Sequence, residues 1–249
     1  MNETWRIIEL TENNAYLNMA IDDAILDEIG DGKSQPTIRF YRWLPNAVSI
    51  GRFQGMNDEV NIQKCADLNI DVVRRITGGG AVYHDYHGEL TYSVIGKEEL
   101  FPDGIHESYR YICNWIIDGL KSIGINAEFA PINDIIVDGR KISGNAQTRK
   151  KGVLLQHGTI LYKIDISKMF SVLNISKEKI SDKMIKNAED RVTSVSLQAK
   201  SSFNELYEAI LNSFKNGKKY EFGSLTTPEL EKVREFEKIY RSYEWNFKQ

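Results

Sequence analysis

Asp138-Gly139 stands between two runs of β-formers, Ile135–Val137 and Lys141–Ile142. Both residues tolerate positive φ, so the dipeptide reads as the two-residue turn of an antiparallel hairpin. A further long strand, GVLLQHGTILYKI (152–164), follows. Upstream, TIRFYRW (37–43) alternates as a strand, Pro45-Asn46 turns the chain, and AVSIG (47–51) continues it. DVVRR (71–75) and ELTYSVIG (89–96) add two more extended runs. Adjacent hairpins of this kind exclude a doubly wound parallel sheet, whose strands are joined by long crossovers.

Helical spacing is confined to a few segments. Residues 18–29 place Ala20, Ile21, Ala24, Ile25 and Ile29 on one side behind an Asn18 cap. Residues 58–69 form a shorter helix with Ile62, Cys65 and Ala66 inward, and 106–123 carries the clearest apolar stripe. Ser202 and Glu205 make a capping box before Phe203, Leu206, Ile210 and Phe214. Thr227-Pro228 opens a last, charged helix with Leu230, Val233, Phe236 and Tyr240 on one side. The expectation is one α+β domain over 1–249, with a core of about 15–217 and a helical tail of about 218–249.

The formal charge of −3 on 249 residues gives no basic field for nucleic acid or a membrane surface. No apolar run approaches the roughly 20 residues that span a bilayer. The N-terminal stretch lacks the basic start and apolar run of a signal peptide. Two cysteines, Cys65 and Cys113, sit in apolar helical patterns without a CxxC. A reducing cytoplasm is expected.

The stretch RRITGGGAVYHD (74–85) has more glycine than a tight turn needs. Bare backbone over that length suits close approach of a ligand. It is neither a Walker loop nor a complete GxGxxG. Successive free N–H groups can still form an anion nest, with Arg74 or Arg75 supplying a planar fork. His84, Asp85 and His87 lack the further ligands of a transition-metal site, and no GxSxG elbow supports a triad. His84 is read as a buried, hydrogen-bonded residue shaping the loop. In GRKISGNAQTRKKG (139–152), Arg149 to Lys151 read as a solvated face. Lys141 alternates with Ile142, and a lysine held toward the fold needs an anion.

RRITGGGAVYHD resembles the signature loop of the lipoate–protein ligase A family, relatives of biotin–protein ligases. NMAIDDAIL, Tyr41 with the Ser49–Gln54 segment, Asn133-Asp134-Ile135, GRKISGNAQ, LQHGTIL and EWN fall in that family's order. The resemblance implies the biotin/lipoate ligase fold, with mixed and antiparallel sheets and flanking helices. It implies activation of lipoate with Mg-ATP to lipoyl-AMP, then transfer to a carrier lysine. The carriers would be lipoyl domains of 2-oxoacid dehydrogenase E2 subunits and the glycine-cleavage H protein. By the same resemblance Gly78, Gly79, Gly80, Ala81, Val82 and Tyr83 contact the adenylate. Arg75, Asn133 and Asp134 meet nucleotide, phosphates or Mg²⁺, and Lys141 is the catalytic cation between acyl carbonyl and α-phosphate. Tyr41, Ile50, Val82 and His84 line the lipoate tunnel beside Lys141. The short form implies a separate accessory protein for adenylation.

The main alternative is an octanoyltransferase of the same superfamily, which moves octanoyl from acyl carrier protein through a cysteine thioester and without ATP. Such enzymes hold their cysteine shortly before the strand matching Asp134–Val137, where this chain reads NAEFAPIND. They also tend to break the glycine run with arginine. On these grounds the ligase is the expected activity. A non-catalytic lipoyl or biotin binder, and a biotin-ligase repressor, are disfavoured.

Overall fold

The computed structural model describes residues 3–174 and 190–248. In chain order these form β1 (Trp5–Asn13), α1 (Ala15–Gly30), β2 (Thr37–Trp43), β3 (Ala47–Ile50), α2 (Met56–Glu59), α3 (Ile62–Asp67), β4 (Asp71–Arg74), β5 (Val82–His84) and β6 (Glu89–Lys97). Then come α4 (Ile105–Ser122), β7 (Glu128–Ala130), β8 (Asp134–Val137), β9 (Arg140–Lys150), β10 (Val153–Leu161), α5 (Ile166–Val172) and α6 (Val195–Gln198). The chain closes with α7 (Phe203–Lys215), β11 (Tyr220–Phe222), α8 (Thr227–Arg241) and α9 (Tyr243–Phe247).

Eight strands form one sheet in the order β11-β1-β2-β6-β10-β9-β8-β7, and β4-β3-β5 form a second. The large sheet is parallel at the β11-β1-β2 edge and antiparallel from β2 onward. The fold is α+β with mixed sheets, as the hairpin-rich sequence requires. Asp138 and Gly139 both take positive φ, +50 and +74, between β8 and β9.

Helices cover both faces of the large sheet. Ile38, Phe40, Leu90, Tyr92 and Val94 pack with Ile116, Leu120, Leu206 and Phe214 from α4 and α7. Tyr41, Trp43, Ile95 and Leu155 pack on the other face with Ile21, Ile25, Val233 and Tyr240 from α1 and α8. A strand buried on both faces reads as a near-continuous run, so TIRFYRW is buried at six of its seven positions. Its apparent alternation placed polar Arg39 not in solvent but on Asp22 of α1.

Several local expectations need correction. The helix expected from Asn18 starts a turn earlier, because the Asn14 side chain accepts from Leu17 N–H. The helix expected over 58–69 is split into α2 and α3, with Val60 extended between them. Within α3 Ala66 is exposed and only Cys65 is buried. Leu230, placed on the apolar side of the last helix, is exposed too.

The small sheet explains the glycine loop mechanically. β4 lies parallel to β3 on one side, and β5 lies antiparallel on the other. Residues 75–81 must therefore cross the end of β3, where Gly51 stands. A Cβ on Gly51 would sit 2.1 Å from the carbonyl oxygen of Gly79, so the crossing is possible only with backbone against backbone. Among the described residues, no helix is long and apolar enough to cross a membrane.

Candidate active site

A cavity of about 320 Å³ opens between the small sheet and the middle strands of the large one. Its walls come from β2 (Tyr41, Trp43), β3 (Ser49), β5 (Val82, His84), β9 (Lys141, Asn145) and β10 (His157), with the glycine loop along one side. Tyr41, Arg75, Gly79, Gly80, Ala81, Val82, Tyr83, His84, Asn133 and Lys141 all border it. Residues separated by a hundred positions thus meet at one concavity.

Three of the residues singled out in the sequence do not line it. Ile50 is fully buried in the cluster beneath the small sheet with Val48, Met56 and Tyr83. Successive strand residues face opposite sides, so Ser49 meets the cavity and Ile50 cannot. Gly78 and Asp134 also stand outside the wall. Asp134 instead holds Lys141, Oδ1 to Nζ, at 2.7 Å. Ile142, the neighbour of Lys141, goes into the core. Lys141 is thus not held inward: its side chain is 40% exposed at the cavity wall, and the anion beside it is the Asp134 carboxylate.

Arg75 is buried, and all five of its N–H donors are taken. Nε donates to Thr77 Oγ1 at 3.1 Å, Nη1 to the oxygen and Oγ of Ser49 at 3.2 and 3.1 Å, and Nη2 to the carbonyls of Gly78 and Gly80 at 2.8 Å each. Burial without a carboxylate partner lowers its pKa to about 10. The guanidinium thus ties the glycine loop to β3. The loop in turn leaves donors free: among the described residues the N–H groups of Gly78 to Ala81 find no protein acceptor. Arg74, fully buried, turns the other way and donates to carbonyls of Arg52, Gln54, Trp245 and Asn246.

Two buried histidines flank Arg75. His84 stacks on Trp43 with ring centres 4.0 Å apart; its Nε2 lies 2.8 Å from Ser49 Oγ and its Nδ1 2.7 Å from Glu89 Oε1. His157 Nε2 lies 2.7 Å from Thr77 Oγ1, and Nδ1 lies 3.2 Å from Asp22 Oδ2. Burial pushes the His157 pKa below its usual value, outweighing Asp22. Burial would raise the Asp22 pKa, but Arg39, His157 and Ser93 together hold it below the usual carboxylate value. With Arg39 at 2.7 Å to neutralise Asp22, the imidazole serves as a neutral N–H donor. Sequence reasoning passed over Ser49, Thr77, Asp22, Glu89 and His157. A signal existed in two places: an Asp-Asp pair inside the apolar stripe of α1, and a lone histidine inside a buried strand.

The donor set does not fit a metal held by the protein. Among the described residues no group of three or more His, Cys, Asp or Glu side chains is placed to hold one. Asp134, the carboxylate expected at magnesium, is paired with Lys141. Neither cysteine reaches the cavity. Cys65 lies under the small sheet and Cys113 in α4, both buried, and burial pushes their thiols up to about 11 and about 12.

Residues 14–215 match the lipoyl protein ligase A/B catalytic domain family. The chain is 36% identical to octanoyltransferase LipM of Staphylococcus epidermidis and 35% identical to that of Staphylococcus aureus, covering 100% of both chains in each case. Among solved structures it is similar to a bi-partite lipoate protein ligase from Thermoplasma acidophilum, with a TM-score of 0.87 and 31% identity over 99% of this chain and 96% of that one. These relatives overturn the expected ATP-dependent lipoate ligase, because the curated proteins matched end to end are named octanoyltransferases. The separate accessory subunit, inferred only for the adenylation step, loses its support with that activity. Fold, motif order and whole-length similarity agree that the chain belongs to the lipoyl protein ligase A/B catalytic domain family and is an enzyme of its ligase and transferase branch.

Proposed function

We propose that this protein is an acyltransferase of protein lipoylation, moving an octanoyl or lipoyl group from one carrier protein to a lysine of another. The observation that carries the reading is whole-length similarity to octanoyltransferases at 34–36% identity. A lipoyl domain is the acceptor that best suits it, since the similar bi-partite ligase was determined with its E2 lipoyl domain.

The cavity's chemistry supports acyl transfer. Its size falls at the lower end of small-ligand pockets, roughly 300–1,000 Å³, which suits a slender acyl chain. Tyr41, Trp43 and Val82 give the chain apolar walls and keep water from the carbonyl. Lys141, positioned by Asp134, brings a cation to the rim. There it opposes the negative charge that develops on the acyl oxygen when an amine or thiolate adds. The unpaired N–H groups of Gly79, Gly80 and Ala81, which also border the cavity, add fixed dipoles of the same sign.

The test supplies S-octanoyl acyl carrier protein and an unmodified lipoyl domain, with no ATP, and follows the acceptor's mass. Gain of one octanoyl group is the expected result. An acceptor that stays unmodified with the thioester, yet is acylated from free octanoate plus ATP, would overturn the reading.

A further inference from the structure

Transfer between two carrier proteins through one cavity raises the question of where the acyl group waits while the carriers exchange. Both cysteines are buried elsewhere, with thiols held protonated at neutral pH. The wall itself carries a hydroxyl with a base behind it. We infer that Ser49 is the acyl-accepting nucleophile, with His84 as its base and Glu89 as the residue that orients His84. The inference rests on the transferase reading and adds a covalent step to it.

The geometry argues the roles in order. Arg75 Nη1 donates to Ser49 Oγ at 3.1 Å, so the Ser49 hydrogen is free to point to His84 Nε2, 2.8 Å away. Glu89 Oε1, 2.7 Å from Nδ1, accepts that nitrogen's hydrogen and leaves Nε2 its lone pair. Thr91 Oγ1 also donates to Glu89 Oε1, at 3.0 Å, and Trp43 Nε1 donates to Thr91 while its ring covers His84. The imidazole is therefore held in tautomer and in plane, the arrangement that activates a serine. The second histidine offers no equivalent: its hydroxyl partner Thr77 does not border the cavity, whereas Ser49, itself only 1% exposed, does.

The step balances without a co-reactant. Ser49 Oγ attacks the thioester carbonyl as His84 Nε2 takes its proton. The C–S bond breaks, the departing carrier thiol takes that proton, and an ester remains on Ser49. The acceptor amine then attacks the ester carbonyl, His84 Nε2 takes a proton from the attacking nitrogen and passes it to Ser49 Oγ as the C–O bond breaks, and an amide leaves on the acceptor. Arg75, beside Oγ throughout, steadies its negative character in both directions.

The experiment mixes the full chain with S-octanoyl acyl carrier protein, withholds the lipoyl domain, and maps the octanoyl group by peptide mass spectrometry. The expected result is one hydroxylamine-sensitive octanoyl group on Ser49 that discharges when lipoyl domain is added. Ser49→Cys should carry the label at the same position, and Ser49→Ala should lose transfer by about a hundredfold or more, the scale of a lost nucleophile–base pair. Transfer by the wild-type chain with the label absent, or mapped to Lys141 or a cysteine, overturns Ser49 and leaves the transferase reading standing. Neither label nor transfer from the thioester overturns both. Mapping on the wild-type chain decides the matter even if a variant folds poorly.

Discussion

A methyl group on Gly80 would meet no protein atom within 4 Å, and the same holds at Gly78. Gly79 differs, with φ of +98 and a Cβ position 2.8 Å from Arg75 Nη2. The fold demands glycine only at the middle position, so bare backbone at Gly80, on the cavity wall, answers to what the cavity holds. Gly80→Ala should keep the wild-type Tm and raise the donor KM about tenfold, equal to roughly 1.4 kcal/mol of lost contact. Gly79→Ala should instead lower Tm by several degrees, since alanine is strained at positive φ. Equal effects on Tm would refute the distinction. His157 carries a pH signature. Its folded pKa lies below the unfolded value of about 6.5, so the unfolded chain binds more protons between the two. Its contribution is complete above about pH 6.5 and is lost as pH falls through the folded pKa; Asp22 acts in the same direction in a separate, carboxylate window. Denaturation midpoints of the wild type should fall from pH 7 to 5.5, and His157→Gln should flatten that slope. At this scale motif order led to Tyr41, Val82, His84 and Lys141, but a one-residue strand register hid Ser49 behind Ile50. Ser49 and His84 are 35 positions apart, and no local pattern couples them.

Elements were legible where their signals are local. The Asp138-Gly139 turn, the capping box at Ser202 and the Thr227-Pro228 helix start each lie within four residues, and the structure forms all three. β1 and β11 were not legible, because each is a strand only through pairing with distant partners, Trp5 with Tyr220 among them. The β4–β5 crossing depends likewise on a remote element, α9. Trp245 Nε1 donates to the carbonyl of Arg74, and Arg74 N–H donates to Asn246 Oδ1, at 2.8 and 2.7 Å. The Arg74 side chain meanwhile gathers carbonyls from the 51–54 turn and from α9. Replacing it with methionine keeps the bulk and leaves several buried carbonyls without donors. Each such loss costs about 1–3 kcal/mol, so Arg74→Met should destabilise by at least about 3 kcal/mol. A denaturation curve within 1 kcal/mol of wild type, by the same scale, would show that water or neighbours replace the guanidinium.

For the whole molecule, the family match ends at residue 215, and composition turns polar just after it, which invites a cut there. Packing argues against one. β11 pairs with β1 and continues the large sheet, and Val233 and Tyr240 of α8 are buried with α1. Arg6 of β1 is 4% exposed, and Glu229 of α8 meets both its Nη atoms, Nη2 at 2.5 Å and Nη1 at 2.7 Å. Lys232 bridges α8 to Asp27, Glu28 and Asp31 along α1. Shortening the chain to 1–215 would leave the Arg6 charge buried without its partner, a loss of about 3–5 kcal/mol by itself. It would also strip Arg74 of its α9 acceptors and bare the apolar face of α1. Set against a whole-domain stability of about 5–15 kcal/mol, these losses together exceed what the remainder can bear. The 1–215 fragment should therefore show no cooperative thermal transition, and Glu229→Gln in the full chain should lower the denaturation midpoint in the same direction by a smaller step. A fragment that melts cooperatively near the full-length Tm would place the C-terminal segment outside the folding unit, and the cavity's walls would then have to be stable without it.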